Sequence, residues 1–101
     1  MKKNSALAGF VRRFQDILDA LDEFDAIEEI EETNAEMEDA IFLMENIDED
    51  DEDACEEIEG ALEEMEDILA EYADIREEYP EIGQKVTELE MTLQMAKNNL
   101  L

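Results

Sequence analysis

Histidine is absent from this 101-residue chain, and cysteine occurs once, at Cys55. These gaps exclude histidine-based acid–base catalysis, histidine metal ligation and the Glu-x-x-His di-iron arrangement. They also exclude an intrachain disulfide and an intrachain cysteine zinc site. Proline occurs once, glycine three times, and aromatic residues make up 6%. Helix breakers are therefore scarce, while Ala, Leu, Ile, Met and Glu, mostly good helix formers, are abundant. No glycine-rich phosphate loop is present; Gly60 and Gly83 stand alone and read as points of close packing or local bending. Long apolar runs are missing as well. Met1-Lys2-Lys3-Asn4 opens like a signal peptide, but the run Ala6–Val11 is closed by Arg12-Arg13. That run is short for an export signal and far too short to span a membrane. A single thiol fits a reduced, cytoplasmic setting.

The largest gap is in positive charge. Between Arg13 and Arg76 there is no Lys or Arg over 62 residues, and that stretch holds 28 of the 33 acids. The net charge is −26. Self-repulsion of this size works against folding, and solubility alone does not require it. High charge with low hydrophobicity would read as disorder. Here 45% of residues are hydrophobic and they are periodic, so the chain reads as one folded, all-α domain over 1–101, without a sheet.

The periodicity predicts helices near 4–31, 34–47, 54–79 and 81–100. Leu7, Phe10, Phe14, Ile17, Leu18, Leu21, Phe24 and Ile27 form the first stripe, mostly at three- and four-residue steps. Asn4 or Ser5 is a candidate cap for its start. Thr33-Asn34-Ala35-Glu36 has capping-box spacing and predicts the start of the second helix. Asp53 with Glu56 is the corresponding candidate cap for the third. Pro80 predicts its end. The run Asp48-Glu49-Asp50-Asp51-Glu52-Asp53 reads as a joint, because aspartates and crowded like charges weaken a helix.

The heptad phase nevertheless continues through that joint. Positions 37, 44, 51, 58, 65, 72, 79, 86, 93 and 100 are apolar except Asp51, and 40, 47, 54, 61, 68, 75, 82, 89 and 96 are all apolar. A single helix over 34–79 and a hairpin turning at 48–53 are both compatible, with the hairpin favoured. Either gives a coiled-coil-like bundle of three to four helices. Its seam is to be completed by the same chain or by a second copy, with a homodimer expected. Cys55 falls on the stripe and reads as a buried structural thiol.

Two acidic patterns invite a test for chemistry. Asp48, Asp50, Glu52 and Glu59 occupy positions 1, 3, 5 and 12 of an EF-hand-like loop, but Asp53 stands where the sharp-turn glycine belongs and Cys55 where the aliphatic belongs. Glu28-Glu29 with Glu32, then Glu45 with Asp48, formally resembles the E-E-x-x-E … E-x-x-D pattern of all-α nucleoside triphosphate pyrophosphatases. Glu64–Asp67 and Glu71–Asp74 match equally well, so this composition produces the pattern freely, and no base lies nearby to hold phosphates. The reading is non-enzymatic, with no metal and no cofactor.

What remains is the acidic surface itself. From Ala54 to Tyr79 there are eleven acids and one base, Arg76. Over roughly 39 Å of helix that is about one charge per ~3.5 Å, close to the ~3.4 Å phosphate spacing of one DNA strand. Ordinary exposed helices interleave Glu and Lys at i, i+4; this one forgoes that stabilisation.

In size, charge and helicity the chain resembles the small, acidic, mostly phage-encoded proteins that mimic nucleic acid, among them anti-restriction and anti-CRISPR proteins. The resemblance implies a stoichiometric inhibitor working in the cytoplasm of a bacterial host. Its partner would be a basic nucleic-acid-binding protein, a nuclease or a CRISPR effector, with no direct contact to nucleic acid or membrane. Asp48, Glu49, Asp50, Asp51, Glu52, Asp53, Glu56, Glu57, Glu63, Glu64 and Asp67 are the expected contacts. The alternative is an acidic helical adaptor or chaperone for a basic protein.

Overall fold

Residues 3–24, 26–48 and 50–101 are described by the computed structural model of the protein, with side chains from Ala6 onward. The cap expected at Asn4 or Ser5 and the contact expected at Glu49 lie outside this description. Four helices follow one another: α1 (Lys3–Leu21), α2 (Glu28–Glu45), α3 (Ala54–Glu78) and α4 (Gly83–Leu100), with short 3₁₀ turns at Asp22–Phe24 and Pro80–Ile82. No strand occurs among the described residues.

Each helix packs against its neighbours in sequence, and α4 returns beside α1 to close a four-helix bundle. Short connections make successive helices antiparallel. The Cα trace extends 42 × 19 × 19 Å. Leu7, Phe14, Leu21, Ile30, Met37, Met44, Met65, Tyr72, Val86 and Leu93 form the centre of one continuous core. The heptad positions read from the sequence thus face inward, and the seam is filled by the chain's own helices. A pair of chains would therefore require a different surface.

The acidic joint is a turn, so 34–79 is a hairpin and not one helix. Its aspartates serve the backbone locally: Asp50 N–H donates to Asp48 Oδ1 (3.0 Å) and Asp53 N–H to Asp51 Oδ1 (3.3 Å). Such Asx turns offer the chain an alternative to helix. Asp53 occupies the N-cap position of α3 as expected, but its side chain makes no capping bond.

The first helix ends ten residues earlier than its stripe suggests. Between Leu21 and Glu28 the chain tightens into a 3₁₀ turn and reverses, with Ile27 N–H donating to Phe24 O (3.0 Å). Phe24 and Ile27 stay against the core, which is why the apolar phase conceals the break. The reversal lets Ile30 join the core as a fully buried residue of α2. The supposed capping box lies inside α2. Thr33 Oγ1 donates back to Glu29 O (2.8 Å), a mid-helix bond that leaves no cap to make.

Asn34 is buried and links three elements. Tyr72 OH on α3 donates to Asn34 Oδ1 (2.5 Å), and Asn34 Nδ2 donates to Asp22 Oδ1 (3.0 Å) in the turn after α1. Gly83 also packs closely, since a β-carbon there would lie 3.3 Å from the Arg76 stem, whereas Gly60 faces open space.

Tyr72→Phe leaves Asn34 Oδ1 buried without its donor and is expected to lower the unfolding free energy by about 1–3 kcal/mol. The double variant Tyr72→Phe/Asn34→Leu should recover part of that loss. Urea denaturation of both, followed by helical circular dichroism, measures the difference.

Candidate functional site

The charges fall on one half of the bundle. Helix α2 carries eight acids and no base; α3 carries eleven acids and only Arg76. All are exposed except the half-buried Glu66. The other two helices are near balance. α1 has Lys3, Arg12 and Arg13 against Asp16 and Asp19, and α4 has Lys85 and Lys97 against Glu88 and Glu90. Because α2 touches α3, and α1 touches α4, the molecule has an acidic side and a nearly neutral side.

Local physics explains part of this placement. Glu28, Glu29 and Glu31 stand in the first turn of α2, and Glu56 and Glu57 in that of α3, where the helix dipole favours negative charge. Farther along, no such gain exists and the acids only repel one another.

The expected contact residues divide into two groups. Asp48, Asp50, Asp51, Glu52 and Asp53 are exposed in the joint, at the end of the bundle where α1 begins and α4 finishes. Asp48 shares a groove with Glu45, Ile47 and Arg12, so a base partly offsets it. Glu56, Glu57, Glu63, Glu64 and Asp67 are exposed on α3. Glu63 and Asp67 border the groove towards α4, where Lys97 Nζ binds Glu66 Oε2 at 2.7 Å.

A further acidic region lies elsewhere. Glu29, Glu32 and Glu36 of α2 line one groove with Glu71 and Asp74 of α3, together with Thr33 and Ile75. Glu36 and Glu71 each precede a core heptad residue, Met37 and Tyr72, which places them on the rims of the seam. Loss of water, a hydrogen bond shared with Glu36, and the charges of Glu36 and Glu32 push the Glu71 carboxyl above its ordinary range. Burial, then the charges of Asp22, Glu36 and Glu71, push the Tyr72 hydroxyl upward too.

Two exposed apolar residues on this side escaped the sequence reading. Phe42 and Leu43 are 62% and 53% accessible. Phe42 borders a groove with Asp19, Asp22, Glu38 and Glu45. The signal was available: Ile41–Met44 is a run of four apolar residues, and one helix face accommodates only two of them.

The patterns tested for chemistry do not assemble. Glu32 and Glu45 lie on the same helix, thirteen residues apart, or about 20 Å along its axis, and cannot share an ion. Among the described residues no three carboxylates or thiols converge to hold a metal. Cys55 is exposed, not buried, because it flanks the seam in the first turn of α3, at the open end of the bundle. No helix among the described residues is long and apolar enough to cross a membrane. No protein-family model, characterised protein or solved structure matches this chain.

The raised Glu71 carboxyl fixes the sign of a pH effect. Its folded form binds a proton more readily than the unfolded chain does. That contribution is complete below the ordinary carboxylate range and is lost as pH rises through the raised folded value. Thermal stability should therefore increase on mild acidification from neutrality, and Glu71→Gln should raise stability at pH 7 while flattening that profile. Added salt should stabilise the wild-type protein by screening. Melting curves across pH and salt provide the check.

Proposed function

We propose that this chain is a non-enzymatic mimic of nucleic acid, a stoichiometric inhibitor that lays its acidic side into the basic nucleic-acid-binding groove of a nuclease or CRISPR effector. The observation that carries the reading is the pairing of two acidic helices on one side of a rigid rod. α2 spreads eight acids over 18 residues and α3 eleven over 25. At ~1.5 Å per residue each row has roughly one charge per ~3.4 Å, the spacing of phosphates along one DNA strand. Side by side the rows approach the duplex density of about one charge per ~1.7 Å.

A bundle needs no such surface for its own stability. Like charges at helical spacing are destabilising, so their concentration on one side supports a role in binding. A one-signed field also accelerates encounter with a basic cleft and makes association sensitive to salt.

A second reading, an acidic adaptor or chaperone for a basic protein, is favoured by Phe42 and Leu43. Exposed apolar anchors within a charged surface suit a protein partner. Competition separates the two readings. The immobilised protein is incubated with a bacterial lysate cleared of nucleic acid, and the captured proteins are challenged with duplex DNA. The inhibitor reading expects DNA to release the partner. Retention in the presence of excess DNA favours the adaptor and rejects the mimic.

A variant with Glu63 and Glu64 changed to Gln and Asp67 to Asn, all beyond the first turn of α3, should lose partner affinity by on the order of tenfold or more, mainly through slower association. The same variant should melt at a higher temperature, because repulsion within α3 is relieved. Opposite signs for binding and stability are the expected outcome, read by surface plasmon resonance and by thermal melts.

A further inference from the structure

The α1–α4 side combines a depression with protruding apolar side chains. Ala6, Gly9, Phe10 and Arg13 of α1 line a shallow groove with Met95 and Asn99 of α4. The space over Gly9 is open, since a β-carbon there would meet nothing within 4 Å. Arg13 lies over the Phe10 ring, 5.7 Å from its centre. Met95 of that lining and Met91, one turn before it on α4, are 43% and 60% accessible.

The charge on this side is the second observation. Within α4, Lys85 is paired with Glu88 at 3.3 Å, and Lys97 is paired with Glu66 of α3. In α1 the charges of Arg12 and Arg13 equal in number those of Asp16 and Asp19. In a chain of net charge −26, this is the half that another copy can approach without facing a row of carboxylates.

We propose that a second copy of this chain docks on the α1–α4 face as a two-fold pair, with the methionines of each copy entering the groove between α1 and α4 of the other. A two-fold contact requires a self-complementary surface. The groove and the projecting methionines lie on one face, so each copy supplies what the other needs. Flexible methionine side chains suit a shallow and irregular recess. The pairing also turns both acidic sides outward, which minimises repulsion between copies. Other occupants fit less well. A basic protein is drawn to α2 and α3, and an anionic bilayer is repelled by the net charge. The proposal rests on the bundle and its charge distribution, independently of the inhibitor reading.

Sedimentation of the full chain over a range of concentration and salt tests it. The expected result is a monomer–dimer equilibrium that tightens as salt screens the remaining repulsion. Met91→Glu/Met95→Glu should weaken dimerisation by on the order of tenfold or more, with helical circular dichroism unchanged because both side chains are exposed. Phe42→Glu, on the acidic side, should leave it intact. A monomer at every concentration and salt overturns the proposal. So does a dimer that the methionine variant leaves unchanged. Co-flotation with phosphatidylcholine vesicles that the methionine variant abolishes, without a dimer in solution, assigns the face to lipid and likewise overturns it.

Discussion

Repulsion between α2 and α3 is the constraint around which the rest of the molecule is arranged. Five carboxylates, Glu29, Glu32, Glu36, Glu71 and Asp74, line the groove where these helices meet. Along the same seam Met37, Ile41 and Met44 pack in one core with Ile58, Met65, Ile68 and Ile75. Each large apolar side chain gains about 1.5–3 kcal/mol on full burial. An exposed charge pair is worth about 0–1 kcal/mol in either direction, because water and salt screen it. Burial therefore wins, provided that every acid remains in water. The structure meets that condition among the described residues, where no carboxylate is buried: the buried polar groups are Thr33, Asn34, Thr92 and the Tyr72 hydroxyl, all of them neutral. Among the described residues, the opposite-charge pairs involve α4, through Lys85 and Lys97.

A seam built from repeated heptads holds helices together without stating which alignment is correct. The chain Asp22–Asn34–Tyr72 supplies that information. It joins the turn after α1, the first half of α2 and the last third of α3, and each buried polar atom in it is satisfied. Sliding α3 by one turn would preserve apolar contact but strand the Tyr72 hydroxyl and the Asn34 amide without partners. Buried polar groups left unpaired are expensive, so this network selects one register among several that the apolar pattern alone permits.

The helices were legible where the sequence interrupts itself. Pro80 ends α3 within a residue of its predicted limit, and the aspartate run marks the hairpin. The reversal at 22–27 has no proline or glycine to announce it, and Phe24 and Ile27 keep the stripe in phase. A subtler sign existed. The series Leu7, Phe14, Leu21 reaches Glu28, a residue unfit for a core, while the series Met44, Met37 extends back to Ile30. The acids of α3 could be assigned to the surface because each lies off the stripe. The groove of Glu36 and Glu71 could not be foreseen in the same way. It depends on which helices become neighbours, and that information belongs to the turns, not to the helices. Cys55 is exposed for a related reason: it flanks the heptad series, one residue beyond Ala54, and it is Ala54 that turns into the core.

Separating acidic from neutral helices across the 19 Å width, and not along the 42 Å length, gives the molecule a permanent dipole perpendicular to its long axis. In the field of a positively charged body such a rod experiences a torque that rolls it about that axis. Within a Debye length, about 8 Å at physiological salt, it would arrive already turned, with α2 and α3 leading and α1 and α4 behind. Few productive encounters would then be lost to approaches from the wrong side.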